Sequence, residues 1–234
     1  QALIQVILAL ILCAIGLLAL QSATATRLAE ITNEYDRLID LAAQELSSDL
    51  IEPRTLLATL PFEKDTIDAV TTAANGDYSA LTERLAIIMQ RHPKLLQVRY
   101  LSKQGHELIR INRSGDSWQI LPQDQLQDKS QRDYVRASQN LAIGDIYISV
   151  VDFNQERGKV EQPLQATIRF ATKALGGRGN EQGLFVLNQN LNPFLQQLQT
   201  LVTEAEIHAI NTKGLDLISN QTATSEAAEA PSPK

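Results

Sequence analysis

The sequence predicts a mixed α/β domain: a central, mainly antiparallel sheet with a long N-terminal helix along one side, preceded by a transmembrane helix. Three observations lead to this fold class. The first stretch of the chain is almost entirely apolar. Segments with helical periodicity then come before the strands, and the strands follow one another in hairpin-like succession. Residues 126–189, finally, combine three strand-like runs with many polar side chains.

The apolar stretch covers residues 2–20 and contains Gln5 as its only polar side chain. As a helix it would reach nearly 30 Å at about 1.5 Å per residue, which is about the thickness of the bilayer hydrocarbon. A cleaved signal peptide is the alternative, because residues 21–25 resemble a small-residue cleavage site. The apolar part of such a peptide is usually shorter, roughly 7 to 15 residues. We therefore expect residues 1–21 to form a transmembrane anchor, whose orientation the sequence alone does not fix.

A long helix is predicted after the anchor, because no Gly or Pro interrupts residues 17–52. Pro53 favours a helix end near that position. Apolar residues spaced three and four apart form a seam typical of a parallel coiled coil: Leu28, Ile31, Tyr35, Leu38 and Ala42. The seam predicts a homodimer. A second apolar line supports the alternative that the helix packs on the sheet of its own domain: Ile39, Ala43, Leu46 and Leu50.

The middle of the chain predicts two shorter helices and a hairpin. The first helix covers Glu63–Ala74 and is closed by Asn75-Gly76, and the second ends at Pro93. LLQVRYLS and HELIRINR then predict paired strands with Gly105 at the turn. A second turn at Ser114-Gly115 precedes the run SWQILP.

Residues 126–189 predict a short polar helix over Asp128–Ser138, followed by three strands. The strands are predicted at Asp145–Asp152, Leu164–Leu175 and Gly183–Leu187, since Val, Ile, Tyr, Phe and Thr are concentrated there. The run GGRG at residues 176–179 predicts a turn rather than a phosphate cradle, because no helix follows it directly. After these strands, Asn192-Pro193 predicts a helix to about Thr203, and Lys213-Gly214 predicts the turn of a hairpin.

Polar strand residues beside a polar helix indicate a pocket for a small polar molecule. Spacings of three and four predict that Lys129, Arg132 and Arg136 share one helix face. Tyr147 and Ser149 alternate to one side of their strand, and Asp152 joins them only if the strand bends or ends there. The candidate ligand-binding residues are Lys129, Arg132, Tyr134, Arg136, Tyr147, Ser149, Asp152 and Arg169. The alternatives are a structural Arg169–Asp152 ion pair, ordinary sheet tyrosines and a solvated cationic helix face.

The run LQDKSQRDYVRA, with GDIYIS, VDFNQERG, EQPLQATIRFATKAL and GLFVLNQNL after it, resembles the membrane-distal module of double Cache sensor domains. These PAS-like extracytoplasmic domains are the input modules of bacterial histidine kinases, chemoreceptors and diguanylate cyclases, and the resemblance covers roughly residues 1–220. It implies a Cache fold, an inner-membrane protein with its sensor in the periplasm or outside the cell, and a ligand site at the matching positions. Arg and Lys would hold a carboxylate and Asp152 an amino group, so we expect an amino acid or small organic acid.

The predicted domains are the anchor, a Cache-like sensor over residues 22–204, the start of a possible second module over residues 205–220, and a disordered tail over residues 221–234. The resemblance implies a non-catalytic sensor whose signal passes to an output domain, such as a histidine kinase or diguanylate cyclase, that is absent from this chain. A membrane-anchored interaction or assembly module without a small ligand is the alternative.

The composition argues against several kinds of partner and activity. The net charge of −6 and pI of about 5.1, without a basic stripe, argue against nucleic acid. Cys13 is the single cysteine, which excludes an internal disulfide and a metal site with several Cys ligands. The three histidines are scattered, and there is no Gly-rich phosphate loop, activated nucleophile or paired-carboxylate motif. We therefore expect no metal, no cofactor and no enzymatic activity in this region.

Overall fold

The computed structural model describes residues 2–201 and 207–218. The chain divides into two compact units, one ending at Asp49 and the other beginning at Leu50. The first unit lies within helix α1 (Ala2–Thr59), and most of its described apolar side chains, including Leu28 and Ile31 of the predicted seam, are exposed, whereas Leu38 is half-buried. Among the described residues, one helix is long and apolar enough to cross a membrane, as judged by length and composition.

The predicted end of the long helix near Pro53 is wrong, since α1 continues through Pro53 to Thr59. Proline fits the helical φ, but it removes a backbone hydrogen bond and costs about 3 kcal/mol. Leu57 and Leu60, which follow it, are both almost completely buried. Each buried leucine contributes about 2 kcal/mol, so together they offset the cost of the proline.

The two shorter helices lie close to their predicted positions. A 3-10 helix at Leu60–Phe62 leads into α2 (Lys64–Ala73), and α3 covers Ser79–Arg91. Gly76 separates them with a φ of 95°, a left-handed conformation that favours glycine. Both helices are amphipathic, and they pack on each other and on the sheet through their apolar sides.

The strands of the second unit are β1 (Leu95–Ser102), β2 (Glu107–Ser114), β3 (Ser117–Ile120), β4 (Tyr147–Ile148), β5 (Asp152–Phe153), β6 (Gln155–Glu156), β7 (Lys159–Val160), β8 (Ala166–Leu175) and β9 (Glu181–Asn190). The main sheet is antiparallel at every described pairing, as predicted, with the order β3-β2-β1-β9-β8-β4 and with β5 also paired to β8. A separate ribbon pairs β6 with β7.

The predicted strand Asp145–Asp152 is in fact two short strands, β4 and β5, that both pair with β8. Between them, the N–H of Ser149 donates to the carbonyl of Arg169 at 2.9 Å. The N–H of Arg169 in turn donates to the Ser149 hydroxyl, also at 2.9 Å. A side-chain oxygen thus replaces a backbone carbonyl in the ladder, which interrupts the strand and lets it bend.

Helix α4 (Asp133–Gln139) begins five residues later than the predicted Asp128. The carboxylate of Asp128 accepts a hydrogen bond from the N–H of Ser130 at 2.8 Å, which forms a local turn instead of helix. Arg132 is still extended, with φ −75° and ψ 139°. Tyr134 and Val135 of α4 then pack into the core with residues of β1, β8 and β9.

The C-terminal part of the described chain contains α5 (Asn192–Leu201) and a tight turn closed by a bridge between Ile210 and Asp216. Gly214 sits in this turn with a φ of 80°, so the predicted Lys213-Gly214 turn is present. Residues 202–206, and the predicted disordered tail over residues 221–234, lie outside the described residues.

Candidate ligand-binding cavity

A cavity of about 390 Å³ opens between α4, β4, β5 and β8 in the second unit. This volume lies in the range of small-molecule sites, about 300–1,000 Å³. Its walls carry charged and polar groups, and one wall is completed by the turn that follows α5. The lining residues are Gln131, Arg132, Asp133, Tyr134, Tyr147, Ser149, Val150, Asp152, Gln155, Arg169 and Lys213.

Six of the eight candidate residues line this one cavity: Arg132, Tyr134, Tyr147, Ser149, Asp152 and Arg169. The interruption between β4 and β5 is what brings Asp152 to the same side as Ser149, as the sequence analysis required. Gln155 was not a candidate, although it lies in the same polar run, VDFNQERG. Lys213 was also missed, because it comes from a turn about 40 residues after β8 and no local pattern points from one to the other.

Arg169 lies on β8, the strand next to the β4–β5 edge of the sheet, and is 3% exposed. Its Nη1 pairs with Oδ1 of Asp152 at 2.5 Å, so the structural ion pair considered from the sequence does form. The guanidinium carbon is 6.0 Å from the centre of the Tyr134 ring, a cation–π distance. Its second terminal nitrogen, Nη2, is buried and has no hydrogen-bond partner within the described residues.

Tyr134 has a second unpartnered group. Its side chain is 4% exposed, and its hydroxyl is buried without a hydrogen-bond partner in the described part of the chain. A buried polar group left unpaired costs about 1–3 kcal/mol. Two such donors, on residues that line the same cavity, can be satisfied by the acceptor atoms of a bound molecule.

Arg132 lies just before α4 and donates from Nη1 to Oε1 of Gln155 at 2.6 Å. The guanidinium group of Arg132 is therefore hydrogen-bonded to a neutral amide, whereas the guanidinium group of Arg169 is paired with a carboxylate. Across the cavity, Lys213 Nζ lies 3.4 Å from Oδ2 of Asp133. With three cations and two carboxylates in its lining, the cavity can take a molecule that carries a negative group, a positive group or both.

The predicted common helix face of Lys129, Arg132 and Arg136 is wrong, because α4 begins only after the first two of them. The Arg136 side chain is 60% exposed; it donates to the Gln131 carbonyl at 2.7 Å and lies 3.6 Å from Oδ1 of Asp133, at the rim of the cavity rather than in its lining. Lys129 is buried, and its Nζ donates to Oε1 of Gln127 at 2.8 Å. Neither residue lines the cavity, so the structure gives no support to either as a ligand contact.

Lys129 belongs instead to a buried charge cluster, defined here as Arg99, Glu107, Arg110, Lys129 and Glu156. Burial, followed by the repulsion of Arg99, lowers the pKa of Lys129 to about 8. Burial alone would raise the pKa of Glu156, but Arg99 and Arg110 outweigh it and lower that pKa to about 2. This cluster was not predicted from the sequence, because charged residues alternating with apolar ones on strands are also typical of a solvated sheet face.

The comparison with protein families gives a direct match: residues 44–225 fit the profile of the bacterial histidine kinase sensor domain. The chain belongs to this family. A comparison with curated protein sequences gives no significant match. The resemblance to sensor domains of bacterial signalling proteins, drawn from residues 126–189, is therefore confirmed at the level of a bacterial sensor domain.

Solved sensor domains show the same fold. A domain described as a sensory box/GGDEF family protein from Vibrio parahaemolyticus aligns with a TM-score of 0.61 at 19% identity, over 70% of this chain and 61% of that one. The extracellular domain of a protein described as the histidine kinase vpHK1S-Z8 also gives a TM-score of 0.61 at 19% identity, over 70% and 58%. A methyl-accepting chemotaxis protein gives 0.51 at 8% identity, over 70% and 65%. The chain thus spans about 60% of the length of the first two domains.

Proposed function

We propose that the second unit is the ligand-sensing input domain of a bacterial membrane receptor, and that its cavity binds an amino acid or a small organic acid. The observation that carries this proposal is the pair of buried, unpartnered donors, Tyr134 Oη and Arg169 Nη2, which belong to two residues that line the cavity. Membership of the sensor-domain family supports the sensing role.

The charges suggest how such a ligand is held. The carboxylate of the ligand accepts hydrogen bonds from Arg132 and from the free edge of Arg169, since charge-assisted bonds are the strong ones in a partly buried site. Asp152 remains partly exposed beside Arg169 and accepts from the amino group when the ligand has one. Tyr134 supplies a hydroxyl and an aromatic wall. An organic acid without an amino group would use only the cationic half of this site.

In this proposal α1 anchors the receptor in the inner membrane, the sensor lies in the periplasm or outside the cell, and the signal passes to an output domain such as a histidine kinase.

Two chains associate in parallel through the Leu28-to-Ala42 seam, whose first three residues are exposed in the first unit. Asp at both Ile31 and Leu38 should reduce crosslinking between chains in membranes. Asp at Ala29, an exposed residue at an outer position of the heptad, is the control; equal crosslinking of all three proteins would contradict the dimer.

The ligand is tested by thermal shift of the complete chain in detergent against a panel of amino acids and organic acids. A ligand present at 100 times its dissociation constant should add about 2.7 kcal/mol to the free energy of unfolding. Arg132→Ala and Asp152→Ala should each abolish the shift. Arg136→Ala is the matched control, since it removes a cation four residues after Arg132 that does not line the cavity. A ligand whose shift survives both cavity substitutions would show that the proposed site is wrong.

A further inference from the structure

The ribbon formed by β6 and β7 connects two polar regions of the second unit through consecutive residues. Gln155 lines the cavity and accepts the hydrogen bond from Arg132 at 2.6 Å. Glu156, the next residue, points to the opposite side of the strand and enters the buried charge cluster. The residue that orients a cavity arginine is therefore directly linked to the residue that anchors the ribbon.

Glu156 collects donors from three segments of the chain. Arg110 Nη2 lies 2.7 Å from Oε1, and Gln97 Nε2 donates to the same oxygen at 2.8 Å. Gln127 Nε2 donates to Oε2 at 2.9 Å. Arg99 and Lys129 lie slightly farther away, at 3.5 and 3.6 Å.

The negative charge of Glu156 compensates the buried cations that surround it. Arg99, Arg110 and Lys129 are all nearly inaccessible to solvent, and only Glu107 and Glu156 face them with negative charge inside the cluster. Buried ion pairs that lose one partner are strongly destabilised, because a charge remains uncompensated in a medium of low polarity. The three cations therefore pull the Glu156 carboxylate, and the ribbon with it, onto the sheet.

Few other contacts of the described residues fix the position of the ribbon. Its two strands pair through Gln155 with Val160 and Glu156 with Lys159, and its tip, Arg157-Gly158, is exposed. A two-stranded ribbon of this length is not stable by itself. Its position depends on contacts at its base, on the side chain of Glu156 and on Gln127, whose Oε1 accepts a hydrogen bond from the N–H of Arg157 at 3.2 Å.

We propose that Glu156 is a positioning residue for the cavity: by holding the ribbon on the charge cluster, it keeps Gln155 in place to orient Arg132 toward an anionic ligand group. The part of this inference that concerns the ligand rests on the proposed function. The part that concerns the hold on Arg132 does not, since it describes the ligand-free protein.

The ligand-free part is tested by hydrogen exchange on the complete chain in detergent, comparing Glu156→Gln with the original protein. Amides of residues 131–136 and of residues 155–160 should both exchange faster in the variant. Glu161→Gln is the matched control. Glu161 lies next to the same ribbon and accepts a hydrogen bond from Asn154 at 2.7 Å, but it lies outside the charge cluster. Unchanged exchange of residues 131–136 in Glu156→Gln would overturn the inference.

A second variant separates positioning from general destabilisation. Glu156→Gln leaves three cations facing one carboxylate, and adding Lys129→Met removes one of those cations. The double variant should regain most of the lost stability in urea, yet residues 131–136 should still exchange fast, because the ribbon remains without its anchor. Recovery of slow exchange together with stability would mean that Glu156 only balances charge, and the inference would fail.

The ligand-dependent part uses a ligand found by the thermal-shift panel. Glu156→Gln should weaken its binding roughly tenfold, and adding Gln155→Ala should weaken it no further, because both residues act on Arg132. Additive losses, or unchanged affinity in Glu156→Gln, would overturn positioning while leaving the proposed function intact if Arg132→Ala still abolishes binding. If Arg132→Ala binds normally, the proposed function fails, and the exchange experiment alone decides the inference.

Discussion

The hydroxyl of Tyr134 is a buried polar group to which the described protein offers no partner. Replacing it by Phe removes the unpaired group and keeps the ring that packs beside Val135 and Arg169. We predict that Tyr134→Phe raises the free energy of unfolding of the ligand-free protein by about 1 kcal/mol, because the desolvation cost of the hydroxyl disappears. Urea unfolding followed by the fluorescence of Trp118, the single tryptophan, measures it.

Tyr147→Phe is the control for this change, since Tyr147 also lines the cavity but is only half-buried. Its hydroxyl is not among the buried unpartnered atoms of the described residues, so its removal should change stability by less than about 0.5 kcal/mol. Tyr134→Phe should in addition weaken ligand binding. A loss of stability in Tyr134→Phe would show that the hydroxyl has a partner in solution.

The lowered pKa of Lys129 makes the free energy of unfolding depend on pH, and the direction of the pKa shift sets the sign of that dependence. The pKa of Lys129 is about 8 in the folded protein and about 10.5 in the unfolded chain. Between these values the unfolded chain holds the proton and the folded protein does not, so stability rises with pH. The opposite effect comes from Tyr100, whose pKa burial raises to about 12, but it begins only near pH 10. The rise is therefore expected between pH 8 and pH 10.

Urea unfolding at pH 7, 8, 9 and 10 should show this rise in the original protein and a flatter profile in Lys129→Met. The groups that face Lys129 are Arg99, Arg110, Glu107 and Glu156. Glu156, whose pKa is about 2, is ionised over the whole range. Parallel profiles of the two proteins would contradict the lowered pKa of Lys129.

At the scale of elements, the turn between β1 and β2 connects the sheet to the segment before α4. Gly105 has a φ of 92°, and a Cβ built there would lie 2.8 Å from the Cα of Ser130 and 2.8 Å from Cγ1 of Val135. Gly105→Ala should therefore lower the free energy of unfolding through both backbone strain and overpacking. We expect about 2 kcal/mol more loss than strain alone would give.

Gly115→Ala is the matched control for that prediction. Gly115 also has a positive φ, of 58°, but nothing lies within 4 Å of a Cβ built there. The difference between the two variants in urea unfolding isolates the overpacking against Ser130 and Val135. Equal losses would mean that the segment before α4 moves aside freely.

The elements were predictable where local signals decide them. Gly105, Gly115 and Gly76 mark turns by their own backbone preference, and the alternating pattern of β8 marks its two faces. The wrong predictions concern helix and strand bounds that depend on contacts with distant parts of the chain. Buried Leu57 and Leu60 carry the helix past Pro53, and the Ser149 hydroxyl splits the first predicted strand. Both effects depend on residues that are remote in the sequence or on side-chain geometry.

The site was predictable to the extent that its residues lie in one continuous polar stretch. Six candidates from that stretch share the cavity, whereas Lys129 and Arg136 do not. The Asp128 turn delays α4, so Lys129 does not lie on the same helix face as Arg136. Lys213 and the buried charge cluster bring together segments far apart in the chain. Periodicity within a single strand or helix carries no information about such pairings.

At the scale of the whole molecule, the family match begins at residue 44, after the apolar part of α1. The cavity and the charge cluster both lie in the second unit, so the sensing chemistry proposed here does not require the apolar segment. The exposed surface of the apolar segment indicates its role, since residues 10, 12, 15, 17 and 18 all expose Leu or Ile side chains. A contiguous apolar surface of this kind requires an apolar environment.

We predict that residues 2–20 hold the mature protein in the membrane. Expressed in a bacterium behind an initiator Met, the chain should stay in the membrane fraction after alkaline carbonate washing, and its mature N-terminus should precede residue 20.

Arg at both Leu12 and Ile15 should release the protein from the membrane, because each charge near the centre of a membrane helix costs about 2.5–3.5 kcal/mol. Arg at Gln5 is the control, since it adds the same charge near the end of the apolar stretch, where a long side chain reaches the interface. Freely soluble mature protein that begins near Ala23 or Ala25 would identify the segment as a cleaved signal peptide.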